Sequence, residues 1–171
     1  MLSKLSIKQK LILIMLIPLF VVILLAAKLA VDSFSTSKNL QSLDNVVILS
    51  VKIGDLVHET QKERGMTAGF LGSNGEKFKI ELPAQRLVVD EKFKELNAFL
   101  STFDKDVYSS EFLENLNNSL KKLQDLNNNR TGVNNLSINT GVAIAYYTDT
   151  ISLLLNTVGT ITKLSNSAKV S

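Results

Sequence analysis

The sequence predicts an all-α protein in which an N-terminal transmembrane helix is followed by an antiparallel four-helix bundle. Three observations predict this class. Residues 11–31 are almost continuously apolar, apolar residues recur three and four positions apart in the rest of the chain, and no segment alternates apolar and polar residues as a strand does. A length of 171 residues suits one domain with one appended segment.

The composition excludes several classes of protein. The chain has no cysteine and one histidine, which excludes disulfide scaffolds, thiolate metal sites and most catalytic triads. Four lysines and no acidic residue lie in residues 1–31, whereas the other 15 basic residues face 16 acidic ones. The net charge of +3 is therefore a feature of the N-terminus and not a basic surface for nucleic acid. We expect no enzyme activity, no cofactor, no metal site and no nucleic-acid partner.

The apolar segment at residues 11–31 predicts a transmembrane helix, because roughly 20 apolar residues cross a bilayer as a helix. Pro18 is expected to kink this helix, and Lys28 can extend its ammonium group to the interface. A cleaved signal peptide is the alternative, but its apolar region is normally shorter and no small-x-small cleavage site follows. The leading lysines place residues 1–10 in the cytoplasm and residues 32–171 in the periplasm, on a single-pass inner-membrane protein.

Four helices are predicted after this segment. The first runs from about Asp32 to Leu71, continuous with the membrane helix, and the run from Gly72 to Gly75 ends it. Its apolar face is predicted from residues that step by threes and fours, with a few more that widen it. The stepping residues are Leu43, Val47, Ser50, Gly54, Val57, Gln61, Arg64, Ala68 and Leu71, and the widening ones are Val46, Ile53, Thr60 and Thr67.

The other three predicted helices are shorter. The second begins near Pro83, since proline suits a first helical turn. The third begins after Ser109 or Ser110, either of which can cap it. An asparagine-rich loop around Gly132 follows, and the fourth helix spans about residues 137–164.

The most informative stretch surrounds Arg64, which falls on the predicted apolar face of the first helix. Gly65 removes bulk beside it, and the hydroxyls of Thr60 and Thr67 lie within one turn. A guanidinium that faces a core needs an anion or a carboxylate, and its paired donors match a planar or forked anion. These four residues are therefore the candidate binding site for a small oxyanion. A structural ion pair with Asp149 or Glu59 of a neighbouring helix or subunit is the alternative.

Several other polar residues are expected to have structural roles. A lone histidine without nearby ligands, His58, is not expected to bind a metal. Arg86 lies among charged neighbours and is expected at the solvated surface. Tyr146 and Tyr147 are expected to pack rather than to bind a ligand.

Three stretches of the chain resemble a known family. They are VHETQKERGMTAGFLGSNGEKF at residues 57–78, QRLVVDEKF at residues 85–93 and YYTDTISLLL at residues 146–155. They resemble the nitrate- and nitrite-sensing domain of bacterial receptors, and the short N-terminus with its apolar span is similar to the start of a methyl-accepting chemotaxis protein. The most specific piece is the ERG segment that begins at Glu63.

The resemblance implies an all-helical domain of two stacked bundles that holds nitrate or nitrite through arginines of both halves. Arg64 matches the ERG arginine and inherits the ligand role, whereas Arg130 matches a recurrent arginine to which we assign a structural role. Residues 32–171 would then be the first bundle of an incomplete sensor domain. A second bundle and a downstream signalling domain would lie outside this chain, and a homodimer is expected.

Two functions are compatible with these patterns. The first is the ligand-sensing region of a transmembrane chemoreceptor, in which a bound anion compensates the charge of Arg64 and shifts a helix that continues into the membrane span. The alternative is a single-pass, membrane-anchored helical bundle that acts as a dimerisation or interaction module and binds no small ligand.

Overall fold

The computed structural model describes residues 7–105 and 108–167, without the side chains of residues 9–14, 17, 34–43 and 161–167. These residues form five α-helices and no strand, so the all-α prediction is confirmed. The helices are α1 (Ile7–Gly72), α2 (Glu81–Ser101), α3 (Ser110–Gln124), α4 (Leu126–Asn134) and α5 (Thr140–Ser167). The chain divides into two compact units, residues 1–42 and residues 43–171.

The first unit contains the N-terminal part of α1, with Pro18 inside the helix. Many of its described apolar side chains are large and exposed; they are Ile7, Met15, Leu16, Leu19, Phe20, Val21, Val22, Ile23, Leu24, Leu25, Leu29 and Val31. Across the part of the chain that the structure describes, no helix is both long enough and apolar enough to span a membrane. The structure therefore does not support the predicted transmembrane helix at residues 11–31. The predicted cytoplasmic segment at residues 1–10 lies mostly outside the described residues.

The second unit contains two clusters of buried apolar side chains, and all five helices contribute to the larger one. In the larger cluster the side chains that are at most 1% exposed are Leu49, Ile53 and Leu56 of α1, Val89 and Leu96 of α2, Phe112 and Leu116 of α3, and Tyr147 and Leu154 of α5. Burial of such side chains is the main stabilising term of a bundle of this size. The four long helices that the apolar periodicity predicts are all present.

Local signals account for most of the helix ends. Gly75 adopts a φ of +86° and its N–H donates to the Phe70 carbonyl at 2.8 Å, which ends α1 at the predicted glycine-rich break. The Ser109 hydroxyl accepts a hydrogen bond from the Phe112 N–H at 3.3 Å and so caps α3 as predicted. The last helix begins at Thr140 instead of Ser137, because the Asn139 side chain caps it by accepting from the Val142 N–H at 2.8 Å.

The predicted asparagine-rich loop is wrong, because most of it forms the helix α4. Leu126, Arg130 and Val133 are spaced by four and three residues, and all three are buried. Tertiary contacts on this face outweigh the poor helix propensity of the asparagines between them. Arg130 therefore reaches the core from a short helix and not from a loop.

Close packing beside α4 makes a test of this arrangement. A Cβ added at Gly132 would lie 2.8 Å from Cγ2 of Ile138, whereas one added at Gly54 of α1 would meet nothing within 4 Å. We expect Gly132→Ala to lower the free energy of unfolding, because overpacking costs about 1–3 kcal/mol and exceeds the gain in helix propensity of about 1 kcal/mol. Gly54→Ala, the matched control, should be neutral or stabilising. Urea unfolding of both variants measures this, and equal effects would contradict the packing described for α4.

Candidate functional site

A fully buried carboxylate, that of Glu63 on α1, is the centre of the polar interior. Arg130 of α4 donates from Nε to Oε1 and from Nη2 to Oε2, both at 2.8 Å, which is a bidentate pair. The Tyr147 hydroxyl of α5 donates to Oε1 at 2.7 Å. Nε of Arg86, on α2, lies 3.5 Å from the same oxygen. The carboxylate therefore connects α1 to three other helices.

Asp90 of α2 completes this group, which we call the Glu63 cluster: Glu63, Arg86, Asp90, Arg130 and Tyr147. Nη1 of Arg130 donates to Oδ1 of Asp90 at 2.6 Å. The side chain of Asp90 is 53% exposed, whereas that of Arg130 is only 7% exposed. Solvent screens the Asp90 charge, so the buried part of the cluster holds two guanidinium groups against one carboxylate.

The two arginines of the cluster differ in how well their charge is compensated. Burial alone would lower the pKa of Arg130, but its hydrogen bonds to Glu63 and Asp90 raise that pKa above its ordinary value. Burial lowers the pKa of Arg86, and its neighbours do not restore it. Burial raises the pKa of Tyr147, and the nearby charge of Glu63 raises it further. Tyr147 therefore acts as a neutral hydrogen-bond donor to the carboxylate.

The structure does not bring the four predicted site residues into one set of contacts. Arg64 is half-buried, and its Nη1 donates to Oγ1 of Thr148 at 3.3 Å. Thr60 is buried and donates to the Leu56 carbonyl at 2.7 Å. Thr67 is buried too, with its hydroxyl 3.5 Å from the Tyr147 hydroxyl, and Gly65 is exposed. The expectation that Arg64 points into the core is wrong, and within this chain Arg64 forms no ion pair with Asp149 or Glu59 among the described residues. Pairing with a neighbouring subunit stays a prediction.

The error is a shift of the helix face by one residue. Among the described side chains of α1, the buried residues are Leu49, Ile53, Leu56, Val57, Thr60, Glu63, Thr67 and Leu71, and all but Val57 follow one another at steps of three and four. The bulkier side chains of Leu49, Ile53 and Leu56 determine this orientation, since they bury more apolar area than Val47 or Gly54. A one-residue shift rotates the face by about 100°, which exchanges Arg64 for Glu63.

The structural roles expected for the other polar residues are only partly correct. The side chain of Arg86 is 11% exposed, so the predicted solvated position is wrong. The two tyrosines pack as expected: Tyr146 contacts Tyr147 edge-on, and its hydroxyl donates to the Lys122 carbonyl. The side chain of His58 is 69% exposed. No group of three or more potential metal ligands occurs among the described residues.

A groove of about 340 Å³ on the second unit offers a different surface. Its lining comes from α3 and α5, with Glu111 and Asn115 on one side and Asn156 and Thr160 on the other. The lining includes a carboxylate and no cation, which is the wrong charge for an anion. The Glu63 cluster and the neighbouring Arg64 are therefore the better candidates for an anion site.

Comparisons with known proteins assign this helical bundle to a family. The model of the family described as nitrate and nitrite sensing matches residues 55–171, which include the whole Glu63 cluster and all three arginines of the chain. The chain belongs to this nitrate and nitrite sensing family. The resemblance seen in the sequence is therefore confirmed for the sensing domain. The chemoreceptor, dimer and membrane parts of that interpretation stay predictions.

One solved structure supports the fold. It is described as the structure of the NasR transcription antiterminator, and it matches with a TM-score of 0.71 and 27% sequence identity. The match covers 80% of this chain but only 38% of that chain, so this chain spans well under half the length of its structural relative. Both matches are to regulatory proteins and neither indicates an enzyme. Curated proteins give no significant match.

The Glu63 cluster predicts a large penalty for removing its central charge. Glu63→Gln leaves two guanidinium groups with only the solvent-screened Asp90 as a counter-charge, and we expect a loss of about 3–5 kcal/mol in the free energy of unfolding. Asp90→Asn is the matched control: it also removes a charge from Arg130, but solvent screens Asp90, so we expect a loss below about 1 kcal/mol. Urea unfolding measures both values. Equal losses would show that Glu63 is not the central charge.

Proposed function

We propose that this chain senses nitrate or nitrite, that arginine side chains bind the anion, and that binding shifts the packing of α1. The family match over residues 55–171 is the observation that carries this proposal. A sensing role does not require a reacting group, since an anion needs only to bind one packing of the helices better than another. The three arginines of the chain all lie on or beside the Glu63 cluster, which supports this region as the site.

Arg64 is the accessible arginine of the proposed site. Its guanidinium is half-buried, and its bond to the Thr148 hydroxyl is long and is made to a neutral group. A nitrate ion offers charged acceptors in place of this hydroxyl, and charge-assisted hydrogen bonds are the stronger ones. An anion can therefore displace Thr148 without breaking the buried pair of Glu63 and Arg130. Thr60, Thr67 and Gly65 stay in the proposal only as neighbours of Arg64 on α1.

The receptor context belongs to the proposal as well. In the first unit the described large apolar side chains between Met15 and Val31 are exposed, and an apolar surface of this size needs a partner. We propose that it anchors the chain in the inner membrane as a single-pass protein, with the N-terminus in the cytoplasm, residues 32–171 in the periplasm and a second copy as the dimer partner. A signalling domain outside this chain would receive the displacement of α1.

Membrane anchoring has a direct test. We expect the 171-residue chain to sediment with the membrane fraction of expressing cells and to stay there after washes with high salt and with alkaline carbonate, because apolar insertion does not depend on ion pairs. Replacing Leu19, Val22 and Ile23 by serine should release part of the chain into the supernatant. Recovery of the unmodified chain in the supernatant of the carbonate wash would contradict the anchor.

Anion sensing is tested by calorimetric titration of the purified chain with nitrate, nitrite and chloride, and by thermal unfolding in the presence of each anion. We expect nitrate or nitrite to bind and to raise the melting temperature, because a ligand at about 100 times its Kd stabilises the folded state by about 2.7 kcal/mol. Arg64→Gln should weaken this affinity about tenfold or more, since a hydrogen bond to a charged group contributes about 1.5–3 kcal/mol.

Lys62→Gln is the matched control for Arg64. It removes an exposed cation two residues before it in the same segment, and Lys62 is already paired with Glu59 at 2.8 Å. We expect this variant to keep the affinity of the unmodified chain within about threefold, because exposed charges are screened. Loss of affinity in both variants would indicate a general charge effect. If nitrate, nitrite and chloride all leave the melting temperature unchanged, the chain is an interaction module and not a sensor.

A further inference from the structure

One edge of the Arg86 guanidinium has no acceptor among the described residues. Its Nε and Nη2 atoms are buried and make no hydrogen bond, while Nη1 donates to Oδ1 of Asn134 at 2.6 Å. The distance of 3.5 Å between Nε and Oε1 of Glu63 is that of a charge contact, too long for a hydrogen bond with good geometry. Most buried donors in proteins are paired, so this edge calls for an explanation.

The neighbouring arginine shows what such an edge binds. Arg130 uses the same two nitrogens, Nε and Nη2, to hold both oxygens of the Glu63 carboxylate at 2.8 Å. A carboxylate presents two oxygens on one planar carbon and carries one negative charge. Nitrate and nitrite present two oxygens on one nitrogen in the same plane with the same charge. The edge of Arg86 therefore matches these ions in the way that the edge of Arg130 matches Glu63.

The balance of charge in the cluster also favours an additional anion. Two guanidinium groups lie against one fully buried carboxylate, because the Asp90 side chain is half-exposed and its charge is screened. Arg130 takes both oxygens of that carboxylate, and Arg86 contacts it only at the longer distance. The burial that lowers the pKa of Arg86 reflects this incomplete compensation. One further negative charge at Arg86 would neutralise the buried part of the cluster.

We propose that the Nε/Nη2 edge of Arg86 binds a small planar oxyanion of the nitrate and nitrite class, in addition to any contact made by Arg64. This inference rests on the proposed function and assigns a residue to it. Both nitrogens are screened from solvent, so an anion reaches them only when α2 and its neighbours separate locally. Binding and helix displacement are then one event.

The test compares Arg86→Lys with the unmodified chain by calorimetric titration with nitrate and nitrite. Lysine keeps the positive charge beside Glu63 but lacks the paired donors of the edge. We expect the affinity for nitrate to fall at least tenfold. Asn134→Ala is the matched control: it removes the acceptor of Nη1 and leaves the edge intact, so we expect the affinity to stay within threefold.

A second variant decides the matter if Arg86→Lys does not fold. Asn134 is exposed, so Asn134→Asp should fold, and its carboxylate would compensate Arg86 from the Nη1 side. We expect this variant to bind nitrate several-fold more weakly than Asn134→Ala. If either Arg86→Lys or Asn134→Asp binds nitrate as tightly as the unmodified chain, Arg86 is not a ligand, and the sensing function stands without it. If the unmodified chain binds neither anion, the sensing function and this inference both fail.

Discussion

Glu63 accepts hydrogen bonds from α4 and α5 and lies beside Arg86 of α2, so its carboxylate constrains how α1 packs against three other helices. A fully buried carboxylate is tolerated only when donors surround it. Apolar contacts alone allow many similar packings of a helical bundle, whereas a bidentate pair at 2.8 Å allows few. The apolar core stabilises the second unit, and the Glu63 cluster selects its arrangement.

The same constraint relates the Glu63 cluster to the nitrate and nitrite sensing family to which the chain belongs. Arginine edges recognise a carboxylate and a small oxyanion through the same paired donors. A bundle that already holds Glu63 with Arg130 therefore contains the chemistry for an external anion, and Arg64 and Arg86 flank that pair. When these side chains exchange hydrogen-bond partners, the helices that carry them shift by an ångström or two, and long helices can transmit a shift of this size.

The sequence patterns predict the helices well and the site less well. Ser109 and the glycines after α1 are local signals, and the helix ends they predict are correct to within a residue. The orientation of Arg64 depends on which residues of α1 bury more apolar area. A periodicity three to four residues long does not separate positions 63 and 64. Arg86 and Arg130 meet Glu63 only through tertiary packing, 23 and 67 residues away in the chain, so nothing local indicates their burial.

The short helix α4 affects the dynamics of the second unit. A helix of nine residues, four of them asparagines, has no stability of its own in water. It exists because Leu126, Arg130 and Val133 are held in place, and Arg130 is held mainly by Glu63. Whatever loosens the carboxylate therefore removes one of the three anchors of α4 and lowers the free energy needed to unfold this segment locally.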